Sequence, residues 1–203
     1  VLAERGYFPK EDLKTLRHTG SYLQGHPDMK HIPGVDMSSG SLGQGISAAV
    51  GMAIAGKLSN ADYRVYTLLG DGEIQEGQVW EAAMLAAHRK LDNLVVIVDN
   101  NNLQIDGAID EVNSPYPIDK KFEAFNFYVI NIDGNDFDQI DAAFKEAKTV
   151  KGRPTAIIAK TLKGKGVSFM ENQVGWHGKA PNDEEYKIAM EDLEKEGEAL
   201  CQK

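Results

Sequence analysis

Two short polar motifs of this chain are placed where they could hold a metal ion together. The motif GDG, residues 70–72, follows an apolar run at 64–69, and the motif DNNN, residues 99–102, follows a second apolar run at 94–98. Ligands of open α/β sheets bind at the carboxyl ends of strands, so neighbouring strands would bring Asp71 and Asn101 to one edge. Carboxylate and amide oxygens suit a hard cation such as Mg²⁺, which usually keeps a phosphate oxygen of a substrate or cofactor among its ligands.

Each motif alone has a plainer explanation. An Asp flanked by glycines forms turns in many proteins, and Asn-rich strand ends commonly form Asx turns. The combination at the ends of two successive strands is more specific than either motif. The helix expected after Gly72 would also present free N–H groups to an anion at the same edge.

A second glycine-rich segment, SSGSLGQG at residues 38–45, leads into a helix of small residues predicted over 46–58. Two nucleotide-binding motifs are excluded here. A Walker loop needs Lys where Ile46 stands, and the glycines do not follow the GxGxxG order of a dinucleotide fingerprint.

Alternating short apolar runs and longer helical patterns predict βαβ units and a parallel sheet. The predicted strands cover 64–69, 94–98, 128–132 and 155–160, and the predicted crossover helices cover 76–90 and 137–150. Parallel strands with helices on both faces read as continuous apolar runs, as these do. The expected fold class is α/β, with three α/β/α layers and a mostly parallel sheet.

The remaining segments are predicted to be less regular. Residues 100–127 are polar and interrupted by prolines, and we predict a long loop there, of the kind that is usually functional or mobile. Residues 183–203 are predicted to form a helical tail outside the main domain at 1–182. Its helical spacing puts Tyr186, Met190, Leu193 and Leu200 on one stripe, which we expect to be its packed face.

Composition narrows the classes of function. The chain has 203 residues and a formal net charge of −9, which disfavours nonspecific nucleic-acid binding. The single Cys201 cannot form an internal disulfide, and a reducing cytoplasm is the default expectation. No apolar stretch reaches the roughly 18 residues of a membrane span, and the first residues do not have the order of a signal peptide. We therefore predict no membrane partner.

The longer sequence around the two motifs, GDGEIQEGQVWEAAMLAAHRKLDNLVVIVDNNNLQIDG, resembles the thiamine-diphosphate motif in its transketolase form. The resemblance extends upstream through GHPDMKHIPGVDMSSGSLGQGISAAVGMA and downstream through AKTLKGKGVSFMENQVGWHGKAP. It covers nearly the whole chain, with three motifs in the order of the family. It implies a thiamine-diphosphate-binding fold, in particular the diphosphate-binding domain.

The resemblance also implies a ligand set. The carboxylate of Asp71, the side chain of Asn101 and the carbonyl of Leu103 match the metal ligands of the family, with Mg²⁺ expected and Ca²⁺ or Mn²⁺ as substitutes. Gly70 and Gly72 match positions at the cofactor diphosphate, where Gly72 would act through its N–H. The family positions that touch the aminopyrimidine ring are matched by Gly40 and Leu42.

Further residues match catalytic positions of the family. His26 in GHP and His177 in WHG match active-site histidines, the latter near the diphosphate and the substrate. Glu76, expected to be catalytic, and Glu81, expected near the cofactor, match acidic positions that face the partner domain. Plainer alternatives stay open: His26 as a turn residue and Glu76 as a solvated helix residue. The lysines of KTLKGKG either attract a phosphate or only make a loop soluble.

By resemblance, the activity is transfer of a two-carbon ketol unit from a ketose phosphate to an aldose phosphate, in the pentose phosphate pathway. Family members carry a separate pyrimidine-binding domain and further helices before the region that corresponds to Val1. We therefore expect an N-terminally truncated fragment or the N-terminal section of a split transketolase, inactive without its C-terminal partner chain. A homo-oligomer or a heterotetramer is expected. Three alternatives stay open: a dihydroxyacetone synthase, a sulfosugar transketolase, and a noncatalytic assembly module of the same fold.

Overall fold

The computed structural model describes residues 1–201 and centres on a four-stranded sheet. The strands of this sheet are β1 (Val65–Gly70), β2 (Leu94–Asn100), β5 (Tyr128–Asp133) and β6 (Thr155–Lys160), and a short hairpin between them consists of β3 (Leu103–Gln104) and β4 (Gly107–Ala108). The helices are α1 (Gly45–Leu58), α2 (Gly77–His88), α3 (Ile109–Val112), α4 (Ile118–Ala124), α5 (Phe137–Thr149) and α6 (Asp183–Cys201).

The sheet is parallel throughout and has the order β1-β2-β6-β5. Each strand and crossover helix predicted from the sequence is present, with ends that differ by one or two residues at most. In the sheet, β6 lies between β2 and β5, although it is the last strand in the chain. The predicted α/β fold with a parallel sheet is confirmed.

The two faces of the sheet bury different residues, because successive side chains of a strand point to opposite sides. Leu94, Val96 and Val98 of β2 pack in the larger core with α1, α2 and α4. Val95 of the same strand packs on the other side with Ala143 and other residues of α5. Helices therefore cover both faces, which explains why the strands have continuous apolar sequences.

The prediction of a structureless loop over residues 100–127 is wrong. This segment contains the β3–β4 hairpin, α3 and α4. Its apolar residues are the reason: Ile109, Ile118 and Phe122 are fully buried. The Phe122 ring lies 5.2 Å from Trp80 of α2 and 5.3 Å from Phe127 between ring centroids. The large core thus organises a segment that looks polar on average.

The predicted tail helix is present as α6, but its packed face is not the predicted one. Tyr186, Met190, Leu193 and Leu200 are all exposed in this chain. The inward residues are Ala189, which is buried, and the partly buried Glu185, Asp192 and Glu196. The surface that α6 covers carries lysines and a serine, so acidic side chains match it better than apolar ones do. No helix within residues 1–201 combines the length and apolar character needed to cross a bilayer.

Candidate active site

The ends of β1 and β2 lie side by side. Gly70 pairs with Asp99 in the parallel register, and the N–H of Asp71 donates to the carbonyl of Asp99 at 3.1 Å. The two polar motifs found in the sequence therefore meet at one edge of the sheet. They do so because β1 and β2 are neighbours in the sheet, which is the condition on which the predicted metal site depends.

The Asp71 carboxylate is almost completely buried, with 1% of its surface exposed. Its two oxygens accept hydrogen bonds from the N–H groups of Gly72, at 2.9 Å, and of Asn102. Burial raises the pKa of Asp71 above its ordinary value; the N–H groups of Asn102 and Gly72 oppose the rise, and the nearby Asp99 adds to it. Because a buried carboxylate without a cation is costly, a divalent ion at this point would fit the chemistry of the site.

The predicted second and third ligands follow directly in the chain. Asn102 has a left-handed backbone, with φ of 65°, which turns the chain between Asn101 and Leu103. The Asn101 side-chain oxygen accepts the N–H of Leu103 at 3.1 Å. Within residues 1–201, no three histidine, cysteine, aspartate or glutamate side chains group to hold a metal ion. The predicted set needs one such side chain only, because it is completed by an amide and a carbonyl oxygen.

The two glycines of GDG have different surroundings. A Cβ at Gly72 would lie 3.2 Å from the Cβ of Gln104, whereas a Cβ at Gly70 would meet nothing closer than 3.9 Å. The N–H of Gly70 donates to Glu73, and that of Gly72 donates to the adjacent Asp71. Both amides thus have partners inside the chain, and the expected contact of Gly72 with a diphosphate stays a prediction.

The glycine-rich turn brings two predicted catalytic residues against its backbone. Gly40, with φ of +140°, faces the ring of His26: a Cβ there would lie 2.7 Å from the ring. Gly43, with φ of +79°, faces Glu76, and a Cβ there would lie 2.8 Å from the Cβ of Glu76. The turn therefore depends on glycine for both its backbone conformation and its close contacts.

Sequence reasoning missed Glu73, which connects the glycine-rich turn to the GDG motif. One oxygen of its carboxylate accepts the N–H of Gly43 at 3.0 Å, and the other accepts the N–H of Gly70 at 3.1 Å. Its position directly after GDG was visible in the sequence. The sequence around Glu73 does not indicate that its side chain contacts a turn 30 residues upstream.

Three of the predicted residues line two separate clefts. Gly40 and Leu42 line a cavity of about 760 Å³ between the glycine-rich turn, α1 and β1. Asn101 lines a second cleft of about 530 Å³, together with Tyr116, Lys160 and Asn172. Gly40 and Leu42, expected at the aminopyrimidine ring, thus face a different opening from Asn101, expected at the metal ion.

The remaining predicted residues lie on exposed surfaces. Glu76 and Glu81 are exposed at the start and on the outer side of α2. His177 follows a short 3-10 turn, Val174–Trp176, and its Nδ1 lies 3.3 Å from the Lys163 ammonium. No hydrogen bond within residues 1–201 joins His177 to Asp71 or Asn101. Of the loop lysines, Lys165 is paired with Glu196 at 2.8 Å.

The fold and the strand-end site define an α/β protein of the thiamine-diphosphate-binding type. Residues 4–198 match the family model described as transketolase, thiamine diphosphate binding domain. The chain therefore belongs to the transketolase family, through its thiamine-diphosphate-binding domain, and the resemblance noted in the sequence is confirmed.

The similar proteins of known sequence are transketolases and transketolase subunits. The chain is 47% identical over 197 residues to the 6-deoxy-6-sulfo-D-fructose transketolase subunit SqwG of Clostridium sp. (strain MSTE9), covering 97% of this chain and 72% of that protein. It is 44% identical to one of the subunits of the apulose-4-phosphate transketolase of Actinobacillus succinogenes, covering 96% and 70%. It is 46% identical to human transketolase, covering 88% and 28%.

Solved structures of transketolases have the same fold. The transketolase of Campylobacter jejuni superposes with a TM-score of 0.85 at 38% identity, covering 90% of this chain and 30% of that one. The Pichia stipitis enzyme in complex with sedoheptulose 7-phosphate superposes with a TM-score of 0.83 at 32% identity, covering 90% and 29%. The chain thus corresponds to less than a third of a single-chain transketolase.

Proposed function

We propose that this chain is the diphosphate-binding half of a transketolase, which transfers a two-carbon ketol unit from a ketose phosphate to an aldose phosphate. The observation that carries the proposal is the buried Asp71 carboxylate beside the Asn101 segment at two adjoining strand ends. Two relatives carry the word subunit in their names, and this chain covers 72% and 70% of their length. That supports a second chain with the pyrimidine-binding domain, in a homo-oligomeric or heterotetrameric assembly.

The chain's own residues fit the cofactor of the family. Asp71, Asn101 and the carbonyl of Leu103 would hold the divalent ion, with Mg²⁺ preferred and Ca²⁺ or Mn²⁺ as substitutes. The ion would in turn bind the diphosphate, because Mg²⁺ retains phosphate oxygens among its ligands. When bound, thiamine diphosphate supplies the nucleophilic carbon and the electron sink of the reaction.

The two histidines would act on the sugar substrate. His26 is exposed, and its ring lies against the backbone of Gly40, which itself lines the cavity of about 760 Å³. His177 is exposed beside the Lys163 ammonium, which adds positive charge where a phosphorylated substrate would approach. Hydrogen bonds from these rings to substrate oxygens would stabilise developing charge and move protons. Glu76 and Glu81 would face the partner chain.

A titration with thiamine diphosphate tests the site. In the complex of this chain with its partner, binding should require Mg²⁺. Asp71→Ala should weaken it by at least about 100-fold, because changing only the groups that orient a metal's ligands already costs about 10–100-fold in metal affinity. Asp62→Ala, at an exposed position, is the matched control. Unchanged affinity of Asp71→Ala would refute the ligand assignment. Absence of metal-dependent binding in the complex would favour a noncatalytic module.

An assay of ketol transfer tests the split arrangement. We expect turnover only when this chain is mixed with its partner chain, and full turnover by this chain alone would contradict the proposal. The acceptor should be an aldose phosphate, and formaldehyde as the preferred acceptor would point to a dihydroxyacetone synthase instead.

The identity of the donor sugar is a separate question, and one comparison is also compatible with a sulfosugar as a second candidate. The relative with 47% identity is named for 6-deoxy-6-sulfo-D-fructose, whereas human transketolase shares 46%. The kcat/KM values for 6-deoxy-6-sulfofructose, apulose 4-phosphate and sedoheptulose 7-phosphate should be compared in the complex. A preference for the sulfosugar would replace the ketose phosphate of our proposal. For a ketose phosphate donor, we propose that the reaction belongs to the pentose phosphate pathway and takes place in the cytoplasm.

A further inference from the structure

The helix α6 holds the loop that follows β6 at a point before His177. Asp192 of α6 accepts two hydrogen bonds from Ser168: one from its N–H at 2.9 Å and one from its hydroxyl at 2.6 Å. These bonds from Ser168 lower the pKa of the Asp192 carboxyl below its ordinary value. Nearby, Glu196 of α6 pairs with Lys165 at 2.8 Å. The first half of the loop is therefore attached to α6 through Asp192 and Glu196.

A second attachment lies after His177. Glu185 of α6 pairs with the Lys179 ammonium at 2.8 Å. The same carboxylate accepts the N–H of Asn182, and the Asn182 side chain accepts the N–H of Glu185, both at 2.8 Å. This reciprocal pair is a capping box, which fixes the start of α6 and the rotamer of Glu185. Lys179 is thus held from a defined helix end.

Both attachments act on Trp176, the residue before His177. The Trp176 ring N–H donates to the carbonyl of Phe169 at 3.1 Å, and the two rings lie 5.1 Å apart between centroids. Phe169 directly follows Ser168, which Asp192 holds. On the other side, the Lys179 ammonium lies 4.2 Å from the centre of the Trp176 ring, a cation–π contact. The indole is held by both parts of the loop that α6 fixes.

We propose that Asp192 and Glu185 are positioning residues that fix the loop through Trp176 and thereby set the orientation of His177. The proposal rests on the proposed function, because His177 takes its role from there. Single exposed ion pairs contribute little to stability. Their joint effect is to restrict a loop without long regular elements, whose ordering costs conformational entropy at every residue. Small displacements of a catalytic group can cost up to about 100-fold in rate.

The first experiment uses the complex without cofactor. The chain has two tryptophans, so Trp80→Phe leaves Trp176 as the only one in this chain. In that background, the emission of Trp176, followed with a partner chain that lacks tryptophan, should shift to longer wavelength in Asp192→Ala. Trypsin should also cleave the bond after Lys163 faster in Asp192→Ala than in the chain without this substitution. Glu194→Ala, at an exposed position of α6, is the matched control and should change neither reading.

The second experiment is a double-mutant cycle on ketol transfer. Asp192→Ala should lower kcat/KM by about tenfold in the wild-type chain and have little further effect in the His177→Ala chain, because residues that act through one group are not additive. Asp192→Asn keeps one acceptor for Ser168 and should recover most of the activity. If Asp192→Ala does not fold, Ser168→Ala takes its place in the cycle.

The outcomes separate the two proposals. Equal losses in the wild-type and His177→Ala chains, or an unchanged Trp176 emission in Asp192→Ala, would overturn the positioning role. A wild-type complex that transfers no ketol unit from any of the three donors would overturn the proposed function, and the role of His177 with it. The fluorescence and the cleavage rate would then still decide whether α6 holds the loop.

Discussion

The substitution Gly43→Ala tests whether the glycine-rich turn requires its left-handed backbone. Gly43 has φ of +79°, in the left-handed region, and its N–H donates to Glu73. An alanine Cβ there would lie 2.8 Å from the Cβ of Glu76, much closer than the roughly 3.5–4.0 Å at which carbon atoms pack. The substitution therefore has both a backbone cost and a packing cost.

The magnitude can be worked from these two effects. The left-handed conformation costs alanine about 1–2 kcal/mol, and overpacking a well-packed site costs about 1–3 kcal/mol. We expect the free energy of unfolding to fall by about 2–5 kcal/mol. The matched control is Gly51→Ala in the middle of α1, where a new Cβ meets nothing within 4 Å. That control should raise the free energy of unfolding by about 0.5–1 kcal/mol, because alanine favours helix over glycine.

Urea denaturation followed by circular dichroism measures both variants, and a titration with thiamine diphosphate in the complex measures the consequence for the site. Gly43→Ala should also weaken cofactor binding, because the turn and Glu76 must both move to accept the methyl group. A Gly43→Ala protein within about 0.5 kcal/mol of the wild type, the range of neutral surface substitutions, would show that the left-handed turn is not required.

Two further predictions concern the core and the pH dependence. Phe122→Ala should destabilise the protein by about 3–5 kcal/mol in urea denaturation, because it empties a fully buried site beside Trp80. The control Phe137→Ala, at an exposed position, should change the free energy of unfolding by less than about 0.5 kcal/mol. Hydrogen bonds from the Lys30 N–H, His31 and Ser38 lower the pKa of Asp28 to about 2. Because the ordinary pKa of this carboxyl is 3.8, its contribution to stability is present above pH 3.8 and is lost as the pH falls towards 2. The stability difference between wild type and Asp28→Ala should shrink below pH 3.8, and a constant difference would contradict this assignment.

Much of the candidate site could be predicted because its residues stand next to strand ends. The β1 and β2 sequences are recognisable as strands, and GDG and DNNN directly follow or end them, so neighbouring parallel strands must bring Asp71 and Asn101 to one edge. His26 and Glu76 came only from the family resemblance. Their contacts with Gly40 and Gly43 join residues that are far apart in the chain, and no local pattern encodes such a pairing.

Glu73 and α6 show why the remaining features could not be predicted. Glu73 reaches two amides, one local and one in the distant turn, and only the packing of that turn against α2 makes this possible. The spacing of α6 correctly predicted a helix, but it also predicted the wrong packed face. Hydrophobic periodicity shows which face is apolar, whereas the neighbouring surface decides which face packs, and here that surface offers Ser168, Lys165 and Lys179.

By itself, the sequence determined the strands and helices, the parallel α/β class, the family and the strand-end motifs, because these depend on side-chain periodicity and on residues close together in the chain. The tertiary structure decided the place of β6 in the middle of the sheet, the ordering of residues 100–127 around Phe122, and the attachment of the His177 loop to α6. Those features depend on contacts between distant segments, whose free energies are set by burial and by hydrogen-bond partners that exist only once the chain has folded.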